Sequence, residues 1–446
     1  MDIVIKLSQF LLSLSLLIVL HELGHFIPAK LFKTKVEKFY LFFDIKFSLF
    51  KKKIGETVYG IGWLPLGGYV KIAGMIDESM DTEQMKQEPQ PWEFRSKPAW
   101  QRLIIMLGGV IVNFILAFVI YIGIVFVYGD LDIKNSELKD GIWVTNPVLE
   151  QAGLKTGDKI VSVDGKQIES FYEIPEKILL GNQIIISRNN EEATVELPKN
   201  LIGKIVDEDK KSLVLLRIPT IVSGIPEDSE NKDVLQIKDM ITEINGQRVP
   251  YVDELPSVLE TIKGQTVSAK VIRDQKEEII NLKVNEDGKL GFAYPPAIAV
   301  SDIEKLDLYN VSRIKYGFME SVPVGINKGF EKLGSYWNQL KKIVNPKTEA
   351  YKGVGGFYAI FNIFPDFWSW EVFWNITAIL SIMLGVMNLL PIPALDGGHV
   401  MFLLYEMITR KKPSEKFMEK AQIAGFFILI ALLLFANGND IFRAFK

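Results

Sequence analysis

Residues 21–25 read His-Glu-Leu-Gly-His and contain two of the three histidines in the chain. On a helix, side chains four residues apart share a face, so the imidazoles of His21 and His25 would point in one direction. Histidines at this spacing suit one zinc ion, and Glu22 beside them suits a general base for an attacking water. The motif ends an apolar run that begins at Leu7, where ionisable groups are costly unless they face a protein interior. The pattern predicts a hydrolytic metal site in a membrane-length segment. The alternative is an ordinary helix-end pair without a metal.

The composition limits the ligands and partners that are available. The chain of 446 residues has no cysteine, which excludes disulfides, thiolate zinc sites and a cysteine nucleophile. Any metal must therefore bind to histidine and carboxylate groups. The formal net charge of −3 gives no reason to expect nucleic acid as a partner.

Apolar residues are concentrated toward the two ends of the chain, with a polar block between them. Four apolar runs are long enough to cross a lipid bilayer, namely residues 7–29, 103–129, 372–395 and 421–439. A cleaved signal peptide is the alternative for the first run. We do not favour it, because no small-residue cleavage site follows and the apolar core leads directly into the His-Glu motif. We therefore expect a multi-pass α-helical membrane protein with four transmembrane helices and a soluble insertion.

A third metal ligand is expected near the end of the third apolar run. From Asn388 the chain reads Asn-Leu-Leu-Pro-Ile-Pro-Ala-Leu-Asp-Gly-Gly-His. A catalytic zinc ion takes three protein ligands and leaves a fourth position for water. Asp396 is the best candidate for the third ligand and His399 is the alternative. Without a metal, the Asp-Gly pair would be an ordinary turn.

The order of the spans provides an independent check on this ligand. For Asp396 to meet His21 and His25, the first and third spans must run in the same direction, which one intervening span allows. Two basic segments, within residues 30–53 and 410–420, then lie on one side of the membrane. The positive-inside rule assigns that side to the cytoplasm and the soluble insertion to the opposite side.

Glycines punctuate residues 60–70, with Gly60, Gly62, Gly67 and Gly68 in a stretch typical of extended chain beside the membrane. The functional interpretation is a strand edge that binds an unwound substrate through main-chain pairing. The alternative is a plain connecting turn. Asn113, a polar residue inside the second span, either acts near the site or only makes hydrogen bonds between helices.

The soluble insertion contains an internal repeat. Residues 146–165 predict a turn, a short helix and an alternating strand that ends in an Asp-Gly turn. Residues 239–249 repeat the strand and turn about 81 residues later, which indicates two copies of one small module. Both copies resemble PDZ domains, the first through its Ala-Gly-Leu-x-x-Gly-Asp pattern and the second in a degenerate form.

The His-Glu-Leu-Gly-His motif, Asn113 in Gly-Gly-x-x-x-Asn-Phe, Asn388-x-x-Pro-x-Pro and Leu-Asp-Gly-Gly at Asp396 together resemble the site-2 protease family. The two PDZ-like modules make the chain similar to its bacterial RseP type. The resemblance implies an intramembrane zinc metalloprotease in which Glu22 is the catalytic base. It also implies that Asn388 helps to hold the substrate or the transition state.

The same resemblance implies partners, a location and a domain order. Expected substrates are single-pass membrane proteins such as truncated anti-sigma factors and signal-peptide remnants. The expected location is the cell inner membrane, with the active site toward the cytoplasm and the PDZ-like domains outside. The expected domains are an N-terminal membrane part, two PDZ-like α+β domains, a linker with an interfacial helical segment, and a C-terminal membrane part. Their respective bounds are 1–129, 130–215, 216–288, 289–371 and 372–446.

Two other classes of protein remain as alternatives. A transporter could also place histidine and aspartate in a broken helix at membrane depth, but it would need internal transmembrane repeats. An inactive membrane scaffold could use its PDZ pair alone, but it would not need an intact His-Glu-x-x-His with a distant aspartate.

Overall fold

The structure is a computed structural model that describes residues 2–65, 67–75, 87–208, 212–294 and 312–445. Its α-helices are α1 (Asp2–Leu31), α2 (Ala99–Tyr128), α3 (Pro147–Gln151), α4 (Ile174–Leu180), α5 (Leu201–Asp207), α6 (Leu255–Leu259), α7 (Phe318–Val344), α8 (Phe357–Ile363), α9 (Trp370–Leu389), α10 (Asp396–Thr409) and α11 (Glu415–Ala444).

The first strands, β1 (Val36–Leu41), β2 (Phe43–Ile54), β3 (Thr57–Leu64) and β4 (Tyr69–Ile72), belong to one sheet. The remaining strands are β5 (Asp130–Asp132), β6 (Ile142–Val144), β7 (Lys159–Val163), β8 (Lys166–Gln167), β9 (Gln183–Arg188), β10 (Glu191–Glu196), β11 (Val214–Leu216), β12 (Met240–Ile244), β13 (Gln247–Arg248), β14 (Thr266–Arg273), β15 (Lys276–Lys283) and β16 (Ser312–Ile314).

The chain divides into two compact units. The first contains Met1–Gly129, Lys315–Leu340 and Val354–Lys446, and the second contains Asp130–Ile314 and Lys341–Gly353. The segment 289–371, expected to be a linker with an interfacial helical segment, contributes to both units, and its residues 295–311 lie outside the described part of the chain.

Within the described residues, four helices are long and apolar enough to cross a membrane: Ile3–Leu31, Ala99–Tyr128, Trp370–Leu389 and Lys416–Ala444. Each corresponds to one of the apolar runs in the sequence. α2 shows why the match is close, because Pro98 precedes its first residue and Gly129, with φ +78°, follows its last.

The third and fourth spans differ in extent from the expectation. α9 ends at Leu389, because Pro391 and Pro393 each lack a backbone N–H and cannot continue the helix. A separate helix that the sequence pattern does not predict, α10, then begins at Asp396. α11 begins at Glu415 rather than after the lysines, so part of the expected basic loop is helical.

α1 and α9 run in the same direction through the first unit. The Thr377 hydroxyl of α9 donates to Ser13 Oγ of α1 at 3.0 Å. Farther along both helices, Asn388 Nδ2 lies 3.3 Å from Nε2 of His21. A metal site shared by His21, His25 and Asp396 requires these two helices to be parallel, and they pack in parallel.

The sheet of the first unit has the strand order β2-β3-β1-β4. β1 and β3 are parallel, whereas β2–β3 and β1–β4 are antiparallel. β3 and β1 are paired on both sides, which leaves β2 and β4 as edge strands. The expected extended stretch near the membrane is thus one interior strand followed by one edge strand.

The second unit contains two modules of similar build. Their sheets have the orders β10-β9-β7-β8 and β13-β12-β14-β15. The turns that follow β7 and β12 are Asp164-Gly165 and Asn245-Gly246, and all four residues have positive φ.

An ion pair between a buried aspartate and a partly exposed arginine also recurs in the two modules. The carboxylate of Asp158 lies 2.7 Å from Nε of Arg188, and the carboxylate of Asp239 lies 2.7 Å from Nη2 of Arg273. Both carboxylates also accept a backbone N–H from three residues upstream. The internal repeat in the sequence therefore corresponds to repeated structure as well as repeated turns.

Candidate metal centre and active site

Three side chains from two distant parts of the chain form a triangle of ligand atoms. Asp396 Oδ2 lies 3.4 Å from Nε2 of His21 and 3.3 Å from Nε2 of His25. The two Nε2 atoms are 3.3 Å apart. All three side chains are largely buried, and they are the group that could hold a metal ion in the part of the chain that the structure describes.

The triangle matches the requirements of zinc. Ligands at the usual distances of about 2.0–2.1 Å from a tetrahedral ion are themselves about 3.4 Å apart. Asp396 Oδ2 is buried without a hydrogen-bond partner, which is expensive unless a cation neutralises it. Two nitrogens and one carboxylate oxygen are a known donor set for catalytic zinc and leave a position for water. The residues present therefore fit the ion.

The imidazole of His25 is held in the orientation that ligation requires. Its Nδ1 donates a hydrogen bond of 2.8 Å to the carbonyl oxygen of Ile105 on α2. Because a carbonyl can only accept, Nδ1 carries the hydrogen and Nε2 presents its lone pair to the triangle. Gly109 on α2 leaves the room for the ring, since a Cβ there would overlap His25 Nε2.

Asp396 is placed by the break between α9 and α10. It is the first residue of α10, and Ala394 just before it has φ +89°, an uncommon conformation for a residue with a Cβ. The chain folds back so closely that a Cβ at Gly397 would overlap the Leu390 carbonyl, and one at Gly398 would lie 2.6 Å from the Ile392 oxygen. The Gly-Gly pair is therefore required for the tight return that brings Asp396 to the histidines.

Glu22 lines the same cavity as the three ligands and is buried. The backbone amide of Val70 on β4 lies close enough to the carboxylate of Glu22 to interact with it. A carboxylate next to a metal-activated water can take up the proton that the water loses on attack. The strand edge and the candidate base are thus in direct contact.

The cavity has a volume of about 780 Å³ and lies within the first unit. Residues 67–72 form one wall of the cavity. Leu66, just before them, lies outside the described residues. Of the candidates for substrate contact, Gly67, Gly68 and Asn388 line this cavity. His399 also lines it but is not part of the ligand triangle.

The other glycines and Asn113 are placed elsewhere. Gly60 and Gly62 lie on β3, whose two edges are already paired, and they do not line the cavity. Main-chain pairing by a substrate is therefore limited to β4 and the residues before it. Asn113 is fully buried, does not line the cavity, and has Nδ2 3.0 Å from Nδ1 of His21.

Several groups at the site carry no signal in the sequence. The Ile105 carbonyl and the Val70 amide are backbone groups, which every residue possesses. A polar network also lines the cavity. The hydroxyl of Tyr69 donates a hydrogen bond of 2.8 Å to Asp44 Oδ1 and accepts one of 3.3 Å from Lys38 Nζ. Its members come from three different strands, so only the sheet register brings them together.

A buried His-His-Asp triangle beside a glutamate, among helices of membrane length, defines a metal-dependent hydrolase embedded in a membrane. The chain belongs to peptidase family M50, whose family model matches residues 9–432. It is therefore a zinc metallopeptidase and an integral membrane protein.

Similar proteins cover almost the whole chain. The regulator of sigma E protease from Haemophilus influenzae is 28% identical over 98% of this chain and 99% of its own length. A presumptive zinc metalloprotease from Rickettsia conorii is 28% identical over 99% of this chain and 100% of its own length.

A solved PDZ domain of an SdrC-like protein from Listeria monocytogenes covers 19% of this chain and 88% of its own length, with 26% identity. The TM-score of that match is 0.16, which does not establish the fold of any part of this chain.

Proposed function

We propose that this protein is an intramembrane endopeptidase that cuts single-pass membrane proteins within or near the bilayer. The observation that carries the proposal is the ligand triangle of His21, His25 and Asp396, which shares one cavity with Glu22 and with the edge strand β4. The site lies among helices long enough to cross a membrane, which favours substrates that are themselves inserted in the bilayer.

Bound zinc would supply an acidic water and polarise the carbonyl oxygen of the substrate. Glu22 takes the proton of the attacking water and later returns it to the leaving amine. Asn388 Nδ2 lies in the cavity 3.3 Å from His21 Nε2, where it can donate a hydrogen bond to the substrate carbonyl as negative charge develops.

A membrane-spanning substrate must unwind before it can be cut, because a helix hides its carbonyls in its own hydrogen bonds. β4 provides an alternative partner for the unwound backbone. It is an edge strand that lines the cavity, and Gly67 and Gly68 just before it line the same cavity. Pairing on β4 would hold the scissile carbonyl beside Glu22, which the Val70 amide already contacts.

The two modules of the second unit, over residues 130–215 and 216–288, are proposed to be PDZ-like domains. Their repeated turns and repeated Asp–Arg pairs support a common origin. We propose that they lie outside the cytoplasm and either bind peptide or exclude bulky substrates. The Haemophilus influenzae relative is named as a regulator of sigma E protease, which supports truncated anti-sigma factors as substrates; signal-peptide remnants are a second class.

The test is cleavage of defined substrates by the purified full-length protein in proteoliposomes. Single-pass proteins with shortened extracytoplasmic parts should be cut by the wild type and protected by a zinc chelator. Glu22→Gln should lower the rate at least ~100-fold, because it removes the general base, and should still bind zinc. Undiminished cleavage by Glu22→Gln would contradict the proposal, and so would a preference for soluble peptides over membrane-inserted ones.

A further inference from the structure

Asn113 lies where α1, α2 and α9 meet. It is 0% exposed, and its backbone carbonyl accepts a hydrogen bond of 2.7 Å from the hydroxyl of Ser381. It does not line the cavity, and its side-chain Nδ2 lies 3.0 Å from Nδ1 of His21. Asn113 therefore contacts His21 at Nδ1, the ring nitrogen that does not belong to the ligand triangle.

The second histidine shows what such a contact does. The Ile105 carbonyl accepts the Nδ1 hydrogen of His25 and so leaves Nε2 free to ligate. Ile105, Gly109 and Asn113 are spaced by four residues along α2 and share one face of that helix. The same face that orients His25 through Ile105 thus reaches His21 through Asn113, with Gly109 leaving space for both rings.

As the amide is placed, Asn113 Oδ1 is buried and makes no hydrogen bond, so no bond of the oxygen is lost if it moves. The oxygen and nitrogen of an amide are assigned from the surrounding network, and a half-turn exchanges them. After that exchange, Oδ1 lies where Nδ2 is now, within hydrogen-bond distance of His21 Nδ1. Ligation through Nε2 requires the hydrogen on Nδ1, so an acceptor is the group needed there.

We propose that the side-chain oxygen of Asn113 accepts the Nδ1 hydrogen of His21 and holds this imidazole with Nε2 directed at the zinc position. Asn113 is a positioning residue for the metal site and has no contact with substrate. α2 then orients both histidines of α1, one through a backbone carbonyl and the other through a side-chain amide. The proposal rests on the zinc site and not on the identity of the substrate, so it can be tested without cleavage.

The test compares two substitutions in the purified full-length protein. Asn113→Leu has nearly the same size but no acceptor, and should weaken zinc binding about 10- to 100-fold in a chelator competition. Asn113→Asp keeps an acceptor and should recover most of that affinity. Cobalt substitution should give the wild-type absorption spectrum for Asn113→Asp and an altered one for Asn113→Leu. Thr377→Val removes a different buried hydrogen bond between α1 and α9 and should leave zinc affinity unchanged.

The proposal is overturned if Asn113→Leu binds zinc as tightly as the wild type, or if Asn113→Asp loses as much affinity as Asn113→Leu. Histidine labelled with nitrogen-15 gives a readout that does not depend on the folding of any variant, since the chain has three histidines. In the zinc-loaded wild type, His21 Nδ1 should carry a slowly exchanging hydrogen. A resonance of unprotonated Nδ1 would overturn the proposal.

Discussion

Asp396 Oδ2 lies 3.3 Å from Nε2 of His25, although the two residues lie near opposite ends of the chain. The contact exists because α1 and α9 run in the same direction and the chain turns back sharply after α9. A metal ion bound there would join α1 to α10, two helices with the whole soluble insertion between them in the sequence. The metal site is therefore also a tertiary cross-link in the first unit.

Gly109 offers a test of the space around the ligands. In Gly109→Ala the added methyl group would overlap His25 Nε2, so the ring must move and zinc binding should be largely lost. Gly123 on the same helix has open space around its Cβ position. Gly123→Ala should therefore keep zinc and raise stability by about 0.4–1 kcal/mol through the unfolded state. The measurement is zinc content of both purified variants; equal zinc content would show that the site is not as tightly packed as the structure has it.

The ion pair between Arg102 and Glu406 holds α10 against α2. Nη2 of Arg102 and Oε1 of Glu406 are 2.6 Å apart, and both side chains are mostly buried. Arg102→Met alone or Glu406→Met alone leaves a buried charge unpaired and should lower stability by about 3 kcal/mol. Because α10 begins with Asp396, zinc affinity should fall as well.

The double variant Arg102→Met/Glu406→Met removes both charges and should recover much of the lost stability. Thermal unfolding in detergent, with and without zinc, measures the effect. If the double variant is as unstable as the sum of the two single variants, the two residues do not act as a pair.

The backbone of Val70 provides a test of the strand edge. Its amide points away from β1 toward Glu22, so Val70→Pro removes one N–H while the pairing of β4 with β1 can remain. We expect cleavage to fall about 10-fold or more with zinc content unchanged, because β4 loses the N–H that it directs toward Glu22 and the bound substrate. Val70→Ala retains the backbone N–H, so its cleavage rate should fall less than that of Val70→Pro. Equal activity of the two variants would mean that the amide has no role.

The sequence predicts the ligands better than it predicts their support. His21, Glu22 and His25 follow from helical spacing alone, and Asp396 follows from the need for a third ligand near a parallel span. The structure brings these four side chains to one cavity, because their placement depends on local periodicity and on the direction of the helices.

The sequence does not predict features that depend on how separate elements pack. The sequence does not predict α10, because two prolines and a Gly-Gly pair indicate a turn. Only tertiary contacts make residues 396–409 helical. The parallel pairing of β1 with β3 makes β4 the free edge, and no local pattern encodes that order. The carbonyl of Ile105 and the direction in which Asn113 points are likewise set by the approach of α2 to α1.

The most direct test of the account is the zinc content of Asp396→Asn compared with that of His399→Gln. Both residues line the cavity, but only Asp396 belongs to the ligand triangle. Asp396→Asn should lose more affinity than the ~10- to 100-fold that changes outside the ligand shell produce, while His399→Gln should bind one zinc ion per chain as the wild type does. The reverse pattern, or full zinc content in Asp396→Asn, would contradict the claim that α1 and the start of α10 jointly bind the metal.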